Sequence, residues 1–547
     1  MKVGDGNELE PENNIGNNEP NSSLALPGRE NEPLAFNLSI MKINIHHFVS
    51  LLFIGATTLA LASEESEPGK ETHNFLTIGG GYSPSGNQVS LEKNVLYLQR
   101  FLNDLGLEDT PQSLYFADGK DPGRDLQFRD PKFRMPTINK YMAGFVGSTK
   151  GLYNQYRTNE LETDGASKSA LISKWFDDKG RKLDGDDKLL VYFTGHGGKG
   201  EKKKPFNTVM YLWQDKNFRV AEFVKELDKI DKDVPVTMVM VQCYSGGFSH
   251  VIFKEGDATK GLSGHTRAGF YSTLNTRLAA GCTPDINEAN YREYSTYFWE
   301  ALYGQTRLGK PVKKPDYDGD KKTTFAEAHA YTILKSKTID IPVKTSDAFL
   351  RHFSKIKQPE KGDKIEGLIT PDSEFETLFK KAGSCEKAIL RGLSNQLELK
   401  DKNRGKEARD LAKKITDAKK KINDEKNKLN GEKGKLRTAF ANLIKKDWPE
   451  VSNAYHPTTR KLLRKDAAQA MVKQIEGHKD FKRYIELIDK IGALGKQVHD
   501  EDRKWVKCQR IIRTLENVAL EANLPKFVET CTLNRYEELV SAENATL

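Results

Sequence analysis

Between residues 74 and about 345, short runs of apolar, β-prone residues alternate with segments whose apolar positions recur every three or four residues. NFLTIGGGY reads as a strand ending in glycines. In the SLEKNVLYLQRFLNDLG that follows shortly after, Leu91, Val95, Leu98, Leu102 and Leu105 share one helical face, and Gly106 stops the helix. The series continues with strand SLYFAD (113–118), helix ASKSALISKWFDDKG (166–180), strands LLVYFTG (189–195) and TVMYLW (208–213), helix VAEFVKELDKI (220–230) and strand VTMVMVQ (236–242). Another apolar stretch, AGFYSTLNTRLAAGC, precedes a helix at YREYSTYFWEALYG. Continuous apolar strands alternating with helices predict a mainly parallel sheet buried on both faces, an α/β sandwich. In such sheets the ligand site lies beyond the carboxyl ends of the strands. His196 and Cys243 each stand one step past a strand, on the same edge.

Beyond about residue 384 the pattern changes to long helices. Leu411, Ile415, Ala418, Ile422, Leu429, Leu436, Phe440 and Leu443 form a seam with three- and four-residue spacing. After a break at KDWPEVSNAYHPTT (446–459), Phe481, Ile485, Ile488, Ile491, Leu494 and Val498 recur at similar spacing. Two such tracts around a turn predict an antiparallel, coiled-coil-like helical hairpin, its first arm interrupted or loosened at Gly405, Gly431 and Gly434. The organisation is therefore an α/β domain over 74–345, a linker over 346–384 and a helical region over 385–547.

Charged residues make up 30% of the chain and apolar ones 37%, as expected for a globular part joined to solvated helices. The net charge of +9 comes from 86 basic and 77 acidic residues, a mixed surface with no nucleic-acid recognition motif, so no nucleic-acid partner is read. Residues 1–40, rich in Asn, Glu, Pro and Gly, are expected to be disordered or to precede the true start at Met41. From Met41 the sequence MKINIHHFVSLLFIGATTLALASEES has a basic start, an apolar run over 48–61 and the small-residue pattern Ala60-Leu61-Ala62. That is the signature of a secretory signal peptide (41–62) cleaved after Ala62, and it predicts a secreted or periplasmic protein. The run is shorter than the roughly 20 residues a spanning helix needs, so no stable membrane span is expected after cleavage.

The candidate chemistry centres on His196 in YFTGHGG and Cys243 in VQCYSGGF. A cysteine is a strong nucleophile as its thiolate, and a neighbouring histidine can take its proton and later donate one to a leaving amine. Both motifs resemble the paired histidine and cysteine motifs of the caspase and legumain clan of cysteine peptidases, in which a strand ending in His-Gly precedes the nucleophile strand by roughly 50 residues; here the separation is 47. The resemblance covers about residues 74–345 and implies a caspase-like α/β sandwich, an endopeptidase acting on protein or peptide substrates, and no cofactor for catalysis. By position, Cys243 would be the nucleophile, His196 the general acid and base, and the amides of Gly197 and Cys243 the oxyanion hole. QCYSGG is neither the caspase QACRG nor the legumain ACESGS, so the chain resembles a divergent bacterial-type member. The alternative is a catalytically silent scaffold of this fold whose helical tail binds a partner.

Two segments, 81–94 and 275–290, correspond to the clan's primary specificity pocket. Asp285 or Glu288 would hold a basic substrate residue there and Arg277 an acidic one; surface charges are the alternative reading for all three. DYDGDKKTTFAE places Asp316, Asp318, Asp320, Lys322, Thr324 and Glu327 at positions 1, 3, 5, 7, 9 and 12 of an EF-hand-like calcium loop, with Lys321 where the turn glycine belongs. Calcium is thus the candidate metal, against an acidic loop that caps a helix. The tail reads either as a module for self-association or spacing, or, by resemblance to legumains, as an autoinhibitory cover over the active site. Of the five cysteines, Cys243 is expected to be free, Cys282 a small buried hydrophobe, and Cys385 to pair with Cys531 across the hairpin, with a Cys508–Cys531 bridge or no bridge as the alternatives.

Overall fold

In β5 (Asp187–Gly198) successive side chains point to opposite sides. Leu189, Val191 and Phe193 enter one apolar cluster, and Leu190 and Tyr192 enter another. β8 (Val236–Val241) behaves likewise, with Val236, Met238 and Met240 on one face and Val239 and Val241 on the other. A strand apolar on both faces must be covered on both, and helices do this here. Helices Ser169–Asp178 and Val220–Leu227 cover the first face through Trp175, Phe176, Phe223 and Leu227. Helices Val89–Asp104, Tyr294–Tyr303 and Phe325–Lys335 cover the second through Phe101, Phe298, Trp299 and Phe325.

This computed structural model describes residues 72–149, 151–359, 364–453 and 455–547. The expected signal peptide and the extension over 1–40 lie outside the described residues. Besides β5 and β8, the strands are β1 (Thr72–Gly80), β2 (Gln112–Phe116), β3 (Leu126–Phe128), β4 (Gln155–Arg157), β6 (Val209–Leu212), β7 (Asp215–Arg219), β9 (Arg267–Tyr271) and β10 (Val343–Lys344). The main sheet runs β10-β9-β8-β5-β1-β2, with β6 and β7 continuing from the end of β5, while β3 and β4 form a separate ribbon. β2, β1, β5, β8 and β9 are mutually parallel; β10, β6 and β7 join antiparallel. The chain is therefore α/β with a mostly parallel mixed sheet and a long C-terminal helical region. No helix among the described residues is long and apolar enough to cross a membrane.

The C-terminal helices share cores with the sheet layer. Ile511, Leu515, Val518 and Ala519 of helix Phe481–Asn523 join Ala326, Ala330 and Ile333 of helix Phe325–Lys335 in one cluster. Each fully buried Ile or Leu there contributes about 1.5–3 kcal/mol. The last helix, Thr530–Glu543, packs through Tyr536 and Leu539 against Phe349 and Leu350 of helix Thr345–Phe353. It also places the fully buried Glu543 3.1 Å from the Lys344 ammonium of β10.

Helix Arg404–Asp447 packs antiparallel on Phe481–Asn523: Leu429 meets Leu487 and Leu494, and Arg483 pairs with Glu432 at 2.7 Å. Contrary to the sequence reading, its first arm is unbroken through Gly405, Gly431 and Gly434. A glycine costs about 1 kcal/mol in a helix, and the seam outweighs it. Gly405 is required where it stands, because a Cβ would lie 2.3 Å from the Pro371 carbonyl oxygen. The Cys385–Cys531 bridge does not form; all five cysteines are free. Cys385 lies on a separate helix, Ser384–Leu397, directed into the core shared with helix Phe325–Lys335, so the hairpin does not extend to it.

Candidate active site

Register, rather than loop length, sets where His196 and Cys243 stand. Leu189 pairs with Val236 and Thr194 with Val241, an offset of 47 residues that His196 and Cys243 share. Each residue stands two places beyond the last parallel pair, Thr194 and Val241. His196 is not past its strand, as the apolar run suggested, but inside it. There β5 leaves its parallel partners and pairs antiparallel with β6, His196 opposite Tyr211. Cys243 follows β8 in a turn whose next residue, Tyr244, adopts the left-handed conformation at φ 61° and starts the 3₁₀ helix Ser245–Ile252. The histidine strand lies directly on this turn. A Cβ at Gly197 would sit 2.2 Å from the Cys243 carbonyl oxygen and 3.0 Å from that of Val209, so only glycine permits the contact.

The loop after β1 orients the imidazole. His196 Nε2 lies 2.7 Å from the Gly86 carbonyl oxygen and 3.0 Å from Gln88 Oε1, and the Tyr82 ring meets it edge-on at 5.4 Å. A carbonyl oxygen only accepts, so Nε2 carries the proton and donates, which leaves the Nδ1 lone pair as the base. Gln88 is itself aligned, since its Nε2 donates to the Ser85 carbonyl at 3.1 Å. Burial holds the His196 pKa below its ordinary value, with the Gly86 carbonyl opposing.

Cys243 is half-buried, and its Sγ accepts a hydrogen bond from the Ala279 amide at 3.3 Å. Burial raises its thiol pKa, the Ala279 amide opposes this, and the Asp340 carboxylate adds to the rise. With the thiol raised and the imidazole lowered, both groups rest neutral, so proton transfer would accompany attack rather than precede it. Asp340 is 1% exposed; its Oδ1 accepts the Ala280 amide at 2.7 Å, and its Oδ2 is buried without a partner. Burial pushes its carboxyl up to about 7. Gln88, Tyr82, Ala279 and Asp340 were not singled out from sequence. Gln88 and Tyr82 lie within the 81–94 segment assigned to the pocket, whereas nothing local marks Asp340.

The expected specificity residues are engaged elsewhere. Asp285 accepts from the Asn287 amide at 2.9 Å and from Asn290 Nδ2 at 2.6 Å, within its own loop. Glu288 stands 3.7 Å from Arg307. Arg277 faces the helical tail: its guanidinium lies 3.6 Å from Asp502 and 4.9 Å from the centre of the Trp505 ring, and Lys419 pairs with the same Asp502. The Arg277 carbonyl meanwhile accepts the Tyr244 amide at 2.8 Å, tying this segment to the nucleophile turn. Cys282 is half-buried with its Sγ 3.7 Å from the Gly195 carbonyl.

In the 316–327 loop, Asp316, Asp318 and Asp320 are exposed and each offers a carboxylate oxygen within 4.8 Å of the others, a donor set suited to a hard cation. Lys321 takes the left-handed conformation that glycine has in such loops, at φ 70°. Thr324 and Glu327 form a capping box on helix Phe325–Lys335, and the other Glu327 oxygen accepts the Tyr317 amide. The Lys322 amide donates to Asp320 at 2.8 Å. No family model matches the chain, and no curated protein matches it.

Proposed function

We propose that this chain is an exported cysteine endopeptidase with a caspase-like catalytic core. The observation that carries the reading is that the offset between His196 and Cys243 equals the β5–β8 register, together with an imidazole whose Nε2 proton is committed to Gly86 and Gln88. With Nδ1 as base, His196 takes the Cys243 thiol proton as Sγ attacks the scissile carbonyl. The oxyanion forms beside the Gly197 and Cys243 backbone. The C–N bond then breaks, Nδ1 returns the proton to the leaving amine, and water, deprotonated by the same nitrogen, hydrolyses the thioacyl-enzyme.

Docking of Asp502 and Trp505 on Arg277 supports a tail that covers part of the substrate cleft. The second reading, a silent scaffold of the same fold, draws on the burial that keeps the Cys243 thiol protonated. Profiling the purified mature chain on a peptide library beside Cys243→Ala separates the two. The peptidase reading requires turnover that falls by several orders of magnitude in the variant; equal cleavage by both proteins sinks it. Amino-terminal sequencing of protein recovered outside the cytoplasm tests export, with Ser63 as the expected first residue.

A further inference from the structure

A cavity of about 220 Å³ opens between the 3₁₀ helix Ser245–Ile252, helix Thr345–Phe353 and the tail helix Phe481–Asn523. One water needs only roughly 10–15 Å³. Part of the wall is apolar: Phe206, 38% exposed, stacks on the His250 ring at 3.9 Å between centroids, and Leu274 and Val343 line the same space. Burial lowers the His250 pKa to about 4, so that ring is neutral at neutral pH. The rest of the wall carries two guanidiniums. Arg351 is engaged, its Nη1 donating to the Asp347 carbonyl at 3.2 Å and to Asn517 Oδ1 at 2.6 Å, with Glu516 3.5 Å from Nη2. Arg513 is not. Among the described residues it has no ion pair, and its Nε is buried with no hydrogen-bond partner. The acid on the same wall, Asp347, is bonded through Oδ1 to Asn517 Nδ2 at 2.7 Å. Burial lowers the Arg513 pKa to about 10, Arg351 adds to the fall and Asp347 opposes it, so the charge persists at neutral pH. A guanidinium that has left water without gaining an acceptor calls for an anion. Arg513 also borders a second cavity of about 30 Å³, which has room for a couple of waters and not for an organic molecule.

We propose that this cavity binds a carboxylate carried on a small apolar body, the carboxylate on Arg513 and the body against Phe206, His250 and Leu274. The planar fork of a guanidinium matches the two oxygens of a carboxylate. A single unmatched positive charge, with the Asp347 and Glu516 carboxylates close by, suits one negative charge better than the two of a phosphate monoester. The source is either a free organic acid or the carboxyl end of a short peptide, which present the same chemistry. Gly246 and Ser249, on the helix that starts two places after Cys243, line the cavity together with Arg513 of the tail. A bound acid would therefore bridge the nucleophile turn and the tail helix. Any effect on peptide turnover rests on the peptidase reading; the binding itself does not.

The test is calorimetric titration of the full mature chain with 3-phenylpropionate, with N-acetylphenylalanine as the analogue of a peptide's carboxyl end, with phenyl phosphate, and with benzyl alcohol as the neutral control. Both carboxylates are expected to saturate one site at millimolar concentration, phenyl phosphate to bind more weakly and benzyl alcohol not at all. Tighter binding of 3-phenylpropionate marks a free acid as the source and tighter binding of N-acetylphenylalanine a peptide end, and either supports the proposal. Arg513→Met should weaken the carboxylates at least roughly tenfold. It should also raise the melting temperature of the ligand-free protein, because it deletes a buried charge that no protein group pairs. Phe206→Ala, at a partly exposed position, should weaken binding too, and it carries the test if the Arg513 variant fails to fold. No saturable binding at millimolar carboxylate would overturn the proposal, and so would equal binding of benzyl alcohol. A lower melting temperature of Arg513→Met with unchanged affinity would also overturn it, since the guanidinium would then be a structural group held by water. Binding without peptide turnover would refute only the peptidase reading, and turnover without binding only this one.

Discussion

Arg510, on the long tail helix Phe481–Asn523, is 3% exposed, and its guanidinium is almost fully used by one loop of the α/β layer. Nε donates to the Asp340 carbonyl at 2.9 Å, Nη1 to the Ile333 and Ser336 carbonyls at 2.7 and 3.0 Å, and Nη2 to Thr338 Oγ1 at 3.2 Å. Burial pushes its pKa down to about 10, which still leaves it charged at neutral pH, and the Asp340 carboxylate opposes the shift. Replacing it by methionine removes four donors and strands three buried carbonyls and a hydroxyl. Hydrogen bonds from a charged donor contribute about 1.5–3 kcal/mol each and are not additive. Relief of the guanidinium's own desolvation offsets part of the loss, and breaking one partner of a buried charged network typically costs about 3–5 kcal/mol. Arg510→Met is therefore expected to destabilise the full chain by about 3–4 kcal/mol. Arg510→Lys, which keeps the charge but loses the planar fork, is expected to fall between. Because the loop carries Asp340, and Asp340 holds the Ala280 amide next to the Ala279 contact on Cys243, the same change should lower turnover in molecules that remain folded. Urea unfolding of the full-length variants measures the first effect and active-site-titrated kcat the second. A loss below about 1 kcal/mol with unchanged kcat would refute the claim that the tail is part of the site's framework.

Gln88→Ala should lower kcat about tenfold or more with little change in KM and should alter the acid limb of the pH profile, because His196 loses one of two acceptors on Nε2; Gln88→Glu, which keeps an acceptor, should restore part of the rate, and a KM-only effect contradicts the positioning role. Asp340, held at about 7, keeps in the native state a proton that the unfolded chain releases above about 4. The unfolded state then binds fewer protons, so this group's contribution to stability falls as pH rises from about 4 to about 7, by on the order of a few kcal/mol. Asp340→Asn should flatten that slope against wild type in unfolding curves at several pH values, and identical slopes count against it. In Cys531→Ala protein, iodoacetamide should label Cys243 before the buried Cys385 and Cys508 and slowly at neutral pH, with a rate that climbs as pH rises, as a raised thiol pKa requires. Rapid labelling that is flat with pH would show a preformed thiolate instead.

Strand identity was legible because a strand buried on both faces has few polar positions. LLVYFTG and VTMVMVQ could form little else, and the residues after them had to emerge on one edge of the sheet. The 47-residue spacing was visible too, but its meaning was not. Only pairing shows that it equals the β5–β8 register, so that both residues follow the same last pair by two places. The continuation of β5 through His196 escaped the reading because glycine has weak strand propensity; pairing with β6 overrides it. The long seams announced a helical hairpin, yet spacing along a helix carries no information about what its other faces touch. That Arg510 enters the α/β layer and that Asp502 and Trp505 engage Arg277 are contacts between segments far apart in the chain. The sequence by itself determined which segments are strands and helices and where reactive side chains emerge, since those follow from local periodicity. Tertiary structure alone decided which charges are buried, which acceptors go unmet and which imidazole nitrogen keeps its proton, since each depends on what other parts of the chain bring alongside.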